Sequence, residues 1–160
     1  MSDRTEASTD AGRDGHGAGA PSRSLDDASL SARLREAGLR PTRQRVALAR
    51  IVFGRGDRHL TAESLHAEAR EAGVSMSLAT VYNALHQFTG SGLLRAFGIE
   101  GQATHFDTNT REHHHFVTEN GRVMDIPAGG VRLADLPEPP EGMEIAHVDV
   151  VVRLRRRGSD

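Results

Sequence analysis

Start and stop signals for four short helices occupy residues 24–90, and they restrict the fold of this chain more than any other feature. Residues that commonly begin a helix alternate here with glycines that commonly end one. The starts are Ser24, Pro41-Thr42, Thr61 and Ser77, and the stops are Gly38, Gly54 and Gly73. In the fourth segment, large apolar residues repeat at helical spacing and predict one buried face. These residues are Leu78, Val81, Leu85 and Phe88.

Two strand-like segments follow the fourth helix in LLRAFGIEGQATHFD, and Glu100-Gly101 between them predicts a tight hairpin. Short helices closing on a two-stranded wing are typical of the winged helix-turn-helix, in which the last helix enters the major groove of DNA. A second hairpin is predicted to turn at residues 119–121. Apolar residues then alternate along IAHVDVVVRL and predict a strand that pairs across a sheet or a dimer interface. They are Val148, Val150, Val152 and Leu154.

The chain contains no cysteine, which excludes disulfide bonds, thiolate zinc sites and a cysteine nucleophile. Any metal must therefore be bound by nitrogen and oxygen ligands, a set that suits Fe, Mn, Zn or Ni. No apolar run approaches the length of a membrane span, and the first residues are polar throughout. We expect a cytoplasmic protein with no membrane partner.

Charge is distributed unevenly along the chain, although the net charge is only −2. Residues 30–98 carry ten arginines against five acidic residues, whereas residues 99–150 carry three arginines against ten acidic residues. Such a division predicts an anion-binding part joined to a cation-binding part.

The polar face of the fourth helix is the candidate DNA-reading surface. If its apolar residues face inward, Ser77, Thr80 and Asn83 face outward and Tyr82 lies at the flank. Hydroxyl and amide side chains can contact phosphates or base edges, and asparagine pairs well with adenine. Arg40, ahead of the second helix, can reach phosphates or a minor groove. An ordinary polar helix face is the alternative, and the basic charge together with the wing favours DNA.

Three consecutive histidines, at residues 113–115, are the most unusual chemical feature of the chain. On a strand, His113 and His115 point to one face and His114 to the other. Carboxylates from Asp107 and Asp125 can complete a metal site with them, and His59 can join from the loop between the second and third helices. A solvated histidine tract, or one buried histidine with two exposed neighbours, is the alternative.

The chain resembles the ferric uptake regulator superfamily in four segments that occur in the same order. They are AGLRPTRQRVALARIVF, RHLTAESLHAEA, SLATVYNALHQFTGSGLL and HFDTNTREHHHFV. DTNTREHHHF and PEGMEIAHVDVVVRLR are similar to its iron response regulator branch. The resemblance implies an α+β fold, with a winged helix-turn-helix DNA-binding domain at residues 24–107 and a small α/β dimerisation domain at residues 108–160. Residues 1–23 are expected to form a disordered tail.

The resemblance also implies roles for single residues. The regulatory metal falls on the five positions already proposed: His59, Asp107, His113, His115 and Asp125. DNA contacts fall on Thr80, Tyr82 and Arg40. Since the C-x-x-C pair of many members is missing, no cysteine-bound structural zinc is expected. The iron response branch binds haem at its histidine tract, here His113, His114 and His115.

We therefore expect an iron- or haem-responsive transcription regulator, and not an enzyme. It is expected to bind operator DNA as a homodimer, or a higher assembly, under iron limitation, and to be released by haem. The alternative is direct sensing of Fe(II), Mn(II) or Zn(II), with metal promoting DNA binding. A small metalloenzyme is disfavoured because no general base accompanies the ligands.

Overall fold

The computed structural model describes residues 25–127 and 129–158 of the chain. Four helices, two strand pairs and a last strand appear in the regions where the sequence predicts them, with a further short strand ahead of the third helix. The helices are α1 (Asp27–Glu36), α2 (Arg43–Phe53), α3 (Ala62–Glu71) and α4 (Leu78–Gly90). The strands are β1 (His59–Leu60), β2 (Arg95–Phe97), β3 (His105–Asp107), β4 (His114–Thr118), β5 (Val123–Ile126) and β6 (Val151–Leu154).

Side-chain caps begin three of the helices at the predicted residues. The hydroxyls of Thr42, Thr61 and Ser77 accept hydrogen bonds from backbone N–H groups in the first turns of α2, α3 and α4. The prediction for α1 is wrong by two residues, because the carboxylate of Asp26 accepts from the Ser29 N–H at 2.7 Å and begins the helix. Ser24 lies outside the described residues, as does the tail predicted at 1–23.

The four helices enclose one apolar core with the first sheet. Leu48, Leu65, Leu85 and Phe88 are fully buried in it, and Phe106 reaches it from β3. The first sheet has the antiparallel order β1-β3-β2, so β2 and β3 form the wing that follows α4. This arrangement is the winged helix-turn-helix that the helix signals predict.

The predicted tight hairpin at Glu100-Gly101 is wrong in its length. A turn is present, with Gly101 at a φ of +76° and the Gln102 N–H donating to the Ile99 carbonyl at 3.0 Å. However, β2 and β3 pair only outside residues 98–104. Ile99 is buried in a second, smaller apolar cluster with Phe97 and Val117 and does not extend the wing ladder.

The second sheet has the order β5-β4-β6, in which β4 pairs antiparallel with β5 and parallel with β6. The hairpin predicted at residues 119–121 connects β4 to β5, with Gly121 at a φ of +79°. The predicted last strand is shorter than expected, because Val148 and Val150 lie ahead of β6. There, Asp149 and His147 contact the Arg95 side chain.

Among the described residues, no helix has both the length and the apolar character needed to span a bilayer.

Candidate metal centre and nucleic-acid interface

Five histidine and aspartate side chains, four from the two sheets and one from the residue ahead of β4, lie close together. Each offers a ligand atom, and these atoms all lie within 4.8 Å of one another. The five are the predicted set: His59, Asp107, His113, His115 and Asp125.

Strand register explains how residues so far apart in sequence come together. In the first sheet His59 is paired with Asp107, and in the second sheet His115 is paired with Asp125. Nε2 of His113 lies 2.7 Å from Oδ2 of Asp107, and Nε2 of His115 lies 3.1 Å from the same oxygen. The cluster therefore connects the wing sheet to the second sheet.

The backbone fixes the orientation of the His113 ring. Nδ1 of His113 donates to the Arg111 carbonyl at 2.7 Å, so Nε2 of the neutral ring is an acceptor. It faces a carboxylate oxygen of Asp107, which is also an acceptor. A proton or a cation between the two relieves their repulsion, and a metal-ligating histidine typically has such a carbonyl partner.

Two further ring nitrogens at the cluster are buried without an aligned hydrogen-bond partner among the described residues: His59 Nε2 and His115 Nδ1. His59 Nε2 is nevertheless close to two carboxylates, at 2.8 Å from Asp125 Oδ1 and 3.3 Å from Asp107 Oδ2. A short distance without hydrogen-bond alignment is the arrangement expected of atoms that share a cation. Three neutral imidazoles and two carboxylates carry a net charge of −2, which a divalent ion balances. These residues fit a metal such as Fe(II), Mn(II) or Zn(II).

Electrostatics keep Asp107 ionised. Burial alone raises its pKa, but the hydrogen bond with His115, the nearby imidazole of His59 and the hydrogen bond from the Asn109 N–H outweigh burial and hold the pKa well below its usual range. For His59, burial lowers the pKa of the ring, yet the carboxylates of Asp107 and Asp125 together raise it above its usual value. The cluster therefore attracts positive charge to a buried position.

Asn109 is a site residue that the sequence analysis missed. Its backbone N–H donates to Asp107 Oδ1 at 2.8 Å, and its side-chain amide donates to Asp125 Oδ2 at 3.0 Å. Asn109 thus holds one oxygen of each carboxylate and leaves the other facing the histidines. Its position two residues after Asp107 is the signal that could have indicated this role, because such spacing is common in Asx turns.

His114 points away from the cluster, as strand alternation predicts. Its Nδ1 accepts from the Val150 N–H at 3.4 Å, and the ring lines a cavity of about 400 Å³ with His147, Glu112 and the neighbouring His113. Of the three histidines predicted to bind haem, His113 and His114 thus border this cavity, whereas His115 is buried in the cluster.

The polar face of α4 is placed largely as the sequence predicts, with Ser77 and Asn83 exposed and Thr80 half-buried. The Ser77 hydroxyl accepts from the Thr80 N–H at 3.1 Å and lies 2.9 Å from the Thr80 hydroxyl, so both residues take part in the helix start. The Tyr82 hydroxyl donates to Glu63 Oε1 at 2.7 Å. Asn83 is exposed and, unlike Ser77, Thr80 and Tyr82, makes no side-chain hydrogen bond to another described residue.

Arg40 is exposed, and its backbone is tied to α4 through Arg45. The Arg45 guanidinium donates to the Arg40 carbonyl at 2.7 Å and to Gln87 Oε1 at 2.9 Å. Arg40 and α4 are therefore held in a fixed relationship.

The family model described as Ferric uptake regulator family matches residues 36–152. A ferric uptake regulation protein from Legionella pneumophila is 37% identical over 98 residues, which cover 60% of this chain and 72% of that protein. Another from Pseudomonas aeruginosa is 30% identical over 127 residues, covering 78% of this chain and 95% of that protein. The solved structure of the ferric uptake regulator from Pseudomonas aeruginosa with manganese aligns with a TM-score of 0.60 at 26% identity, covering 81% of this chain and 98% of that one. This likeness confirms the predicted α+β fold class, a winged helix followed by a small dimerisation domain.

Proposed function

The chain belongs to the ferric uptake regulator family, whose members are metal-responsive transcription regulators and not enzymes. We propose that this regulator senses Fe(II), Mn(II) or Zn(II) directly. The metal would be held by His59, Asp107, His113, His115 and Asp125, and its binding would increase affinity for double-stranded operator DNA. We infer a repressor that reads DNA through Asn83, Thr80 and Tyr82, with Ser77 at the helix start and Arg40 on the phosphates.

The observation that carries this proposal is the junction of two sheets at one cluster. Asp107 belongs to the wing sheet and Asp125 to the second sheet, and their carboxylates both face the imidazoles. The ligand oxygens of these two carboxylates lie within 4.8 Å of each other, and their negative charges repel. A bound divalent cation supplies the positive charge that offsets this repulsion. The five side chains can then hold the wing in one position relative to the second sheet, and hence hold α4 relative to the DNA.

Direct sensing is better supported than the haem-release mechanism expected from the iron response branch. The solved structure from Pseudomonas aeruginosa is described with manganese, and five nitrogen and oxygen ligand atoms converge here. One observation favours haem as a second candidate: His114 points away from the cluster and lines a cavity of about 400 Å³ that His113 also borders. Haem there would weaken DNA binding, whereas metal at the cluster would strengthen it.

We propose that the regulator acts as a homodimer in the cytoplasm, with a domain boundary after Asp107. Exposed apolar side chains support the dimer, since soluble monomers rarely expose several together. Leu133, Leu136 and Ile145, which lie between β5 and β6, are 45%, 48% and 44% exposed.

Fluorescence anisotropy on an operator duplex, selected by the protein from a random library, tests the proposal. We expect the dissociation constant with Mn²⁺ to be about 5- to 150-fold lower than in EDTA. Asp125→Asn removes this response, and Asp135→Asn, an exposed acidic control, preserves it. Haemin is added separately to the wild type and to His114→Ala. Loss of DNA binding in Mn²⁺ would reject direct activation, and haemin release abolished by His114→Ala would support the second candidate.

A further inference from the structure

Strand β2 of the wing faces the metal cluster with two alternating residues, Phe97, which contacts the cluster, and Arg95, which contacts the backbone ahead of His113. Phe97 is 5% exposed, and the Arg95 side chain is 17% exposed, whereas Ala96 between them faces solvent. Neither residue can bind a divalent metal, since one is a cation and the other is apolar. Their contacts are with the histidines and with the backbone that orients them.

The Phe97 ring supports His115. The two rings are stacked, with centroids 4.0 Å apart and an interplanar angle of 9°, and His59 meets the same phenyl ring edge-on at 6.0 Å. A metal-ligating histidine usually has its second ring nitrogen fixed by a hydrogen bond. Nδ1 of His115 is buried without such a partner in the described part of the chain, so stacking on Phe97 fixes the ring plane.

Arg95 supports His113 through a shared carbonyl. Its guanidinium donates to the Arg111 carbonyl at 2.7 Å, and this is the oxygen that accepts from Nδ1 of His113 at 2.7 Å. The same guanidinium donates to Asp149 Oδ1 at 3.0 Å, which ties the segment ahead of β6 to the wing. Arg95 therefore fixes the loop that orients His113.

We propose that Arg95 and Phe97 are positioning residues of the metal centre, through which the wing strand sets the orientation of His113 and His115. This inference rests on the proposed function in that it requires the cluster to bind a metal. It goes further by assigning the support of two ligands to β2, the strand that directly follows the reading helix. Metal binding and wing geometry are then linked through two side chains.

Titration of the full chain with Co²⁺, followed by its visible absorption bands, tests this directly, because those bands report ligand geometry. We expect Arg95→Gln and Phe97→Leu each to weaken Co²⁺ binding by about 10- to 100-fold and to alter the bands. Arg95→Lys is expected to recover part of the affinity, since lysine can donate to one of the two acceptors but not in the arginine fork geometry. Arg153→Gln is the matched control, because that exposed arginine donates to the Glu100 carbonyl at 3.1 Å, away from the cluster.

Urea unfolding of the metal-free variants separates positioning from folding: a loss of Co²⁺ affinity counts only for a variant that unfolds cooperatively. Arg95→Lys and Arg95→Gln change the packing less than Phe97→Leu does. If Phe97→Leu does not fold, these two variants still separate positioning from folding. Wild-type affinity and bands in both Arg95→Gln and Phe97→Leu would overturn the inference and leave the proposed function intact. Wild-type Co²⁺ binding without any change in DNA affinity would reject the proposed function and leave the inference intact. A wild type that binds no Co²⁺ would overturn both.

Discussion

Nε2 of His59 lies 2.8 Å from Oδ1 of Asp125, although the two residues belong to different sheets and to oppositely charged parts of the chain. His59 begins the short strand ahead of α3, and Asp125 lies on the second hairpin. Arg58, next to His59, is held by hydrogen bonds to Glu68 on α3 and to Thr108 after β3. A change at the His59–Asp125 contact is therefore linked directly to the helical part of the molecule.

Replacing His59 by alanine is expected to reduce metal affinity by more than the roughly 10- to 100-fold typical of an outer partner, because a direct ligand is lost. Affinity for DNA in EDTA should be unchanged, since His59 does not belong to the helical core. Calorimetric titration with Mn²⁺ measures the metal affinity, and fluorescence anisotropy measures the affinity for DNA in EDTA. His114→Ala, which removes an imidazole outside the cluster, is the control, and equal Mn²⁺ affinity in the two variants would contradict the ligand role.

Asn109→Ala is expected to weaken Mn²⁺ binding by about 10- to 100-fold without removing any ligand. The side-chain amide holds Asp125 Oδ2 at 3.0 Å, and without it the partly exposed carboxylate can rotate away from the histidines. The Asp107 contact comes from the backbone and survives the change. Mn²⁺ titration measures the effect, with Asn120→Ala in the β4–β5 turn as the control. Unchanged affinity would show that Asp125 needs no support from Asn109.

Local signals predicted the parts of the fold that depend on neighbouring residues. Thr42, Thr61 and Ser77 cap helices where their side chains can reach nearby N–H groups. The common direction of His115 on β4 and of His113, one residue ahead of that strand, needs only extended backbone geometry. Apart from the start of α1, which Asp26 caps in place of Ser24, the errors lie where distant contacts decide. Ile99 leaves the wing ladder for a cluster with Val117, and Asp149 contacts Arg95 on the other sheet. Spacing alone could propose His59 as a ligand, but the three-strand register that places it beside Asp107 is a tertiary property.

Stability in acid is expected to depend on Glu68, which is hydrogen-bonded by Arg58 on the surface of α3. Hydrogen bonds from Arg58 lower the pKa of Glu68 from its ordinary 4.5, overcoming the opposite effect of burial. Because the folded-state pKa is depressed, the stabilisation is fully present above the unfolded value. It is lost as the pH falls through the folded value.

Glu68→Gln should therefore lower the free energy of unfolding by about 1.5–3 kcal/mol at neutral pH, the range for hydrogen bonds to charged groups. The difference from wild type should shrink as the pH falls below 4.5. Urea unfolding at several pH values, in EDTA, measures both effects. Glu71→Gln, an exposed change on the same helix, is the control. A pH-independent difference would mean that packing, and not the charge of Glu68, stabilises the fold.

Arg40 and Asn83 are expected to contribute to DNA binding in different ways, and salt dependence separates them. Arg40 is exposed, and its carbonyl is held by Arg45, which also contacts Gln87 on α4. If the Arg40 guanidinium neutralises one phosphate, Arg40→Gln should weaken binding to all sequences alike. The slope of log K against log salt should then become shallower by about 1.

Asn83 is exposed on α4 and can pair with a base edge. Asn83→Ala should cost about 1–3 kcal/mol on the selected operator and relax the preference at one base pair, with the salt slope unchanged. Anisotropy at several salt concentrations, on the operator and on its single-base variants, measures both changes. Arg55→Gln is the charge control. Arg55 does not belong to α4, and its guanidinium lies 3.3 Å from the carboxylate of Glu68 on α3. If Asn83→Ala weakened every sequence equally, Asn83 would contact the backbone, and base recognition would have to come from the half-buried Thr80 or from Tyr82 after release from Glu63.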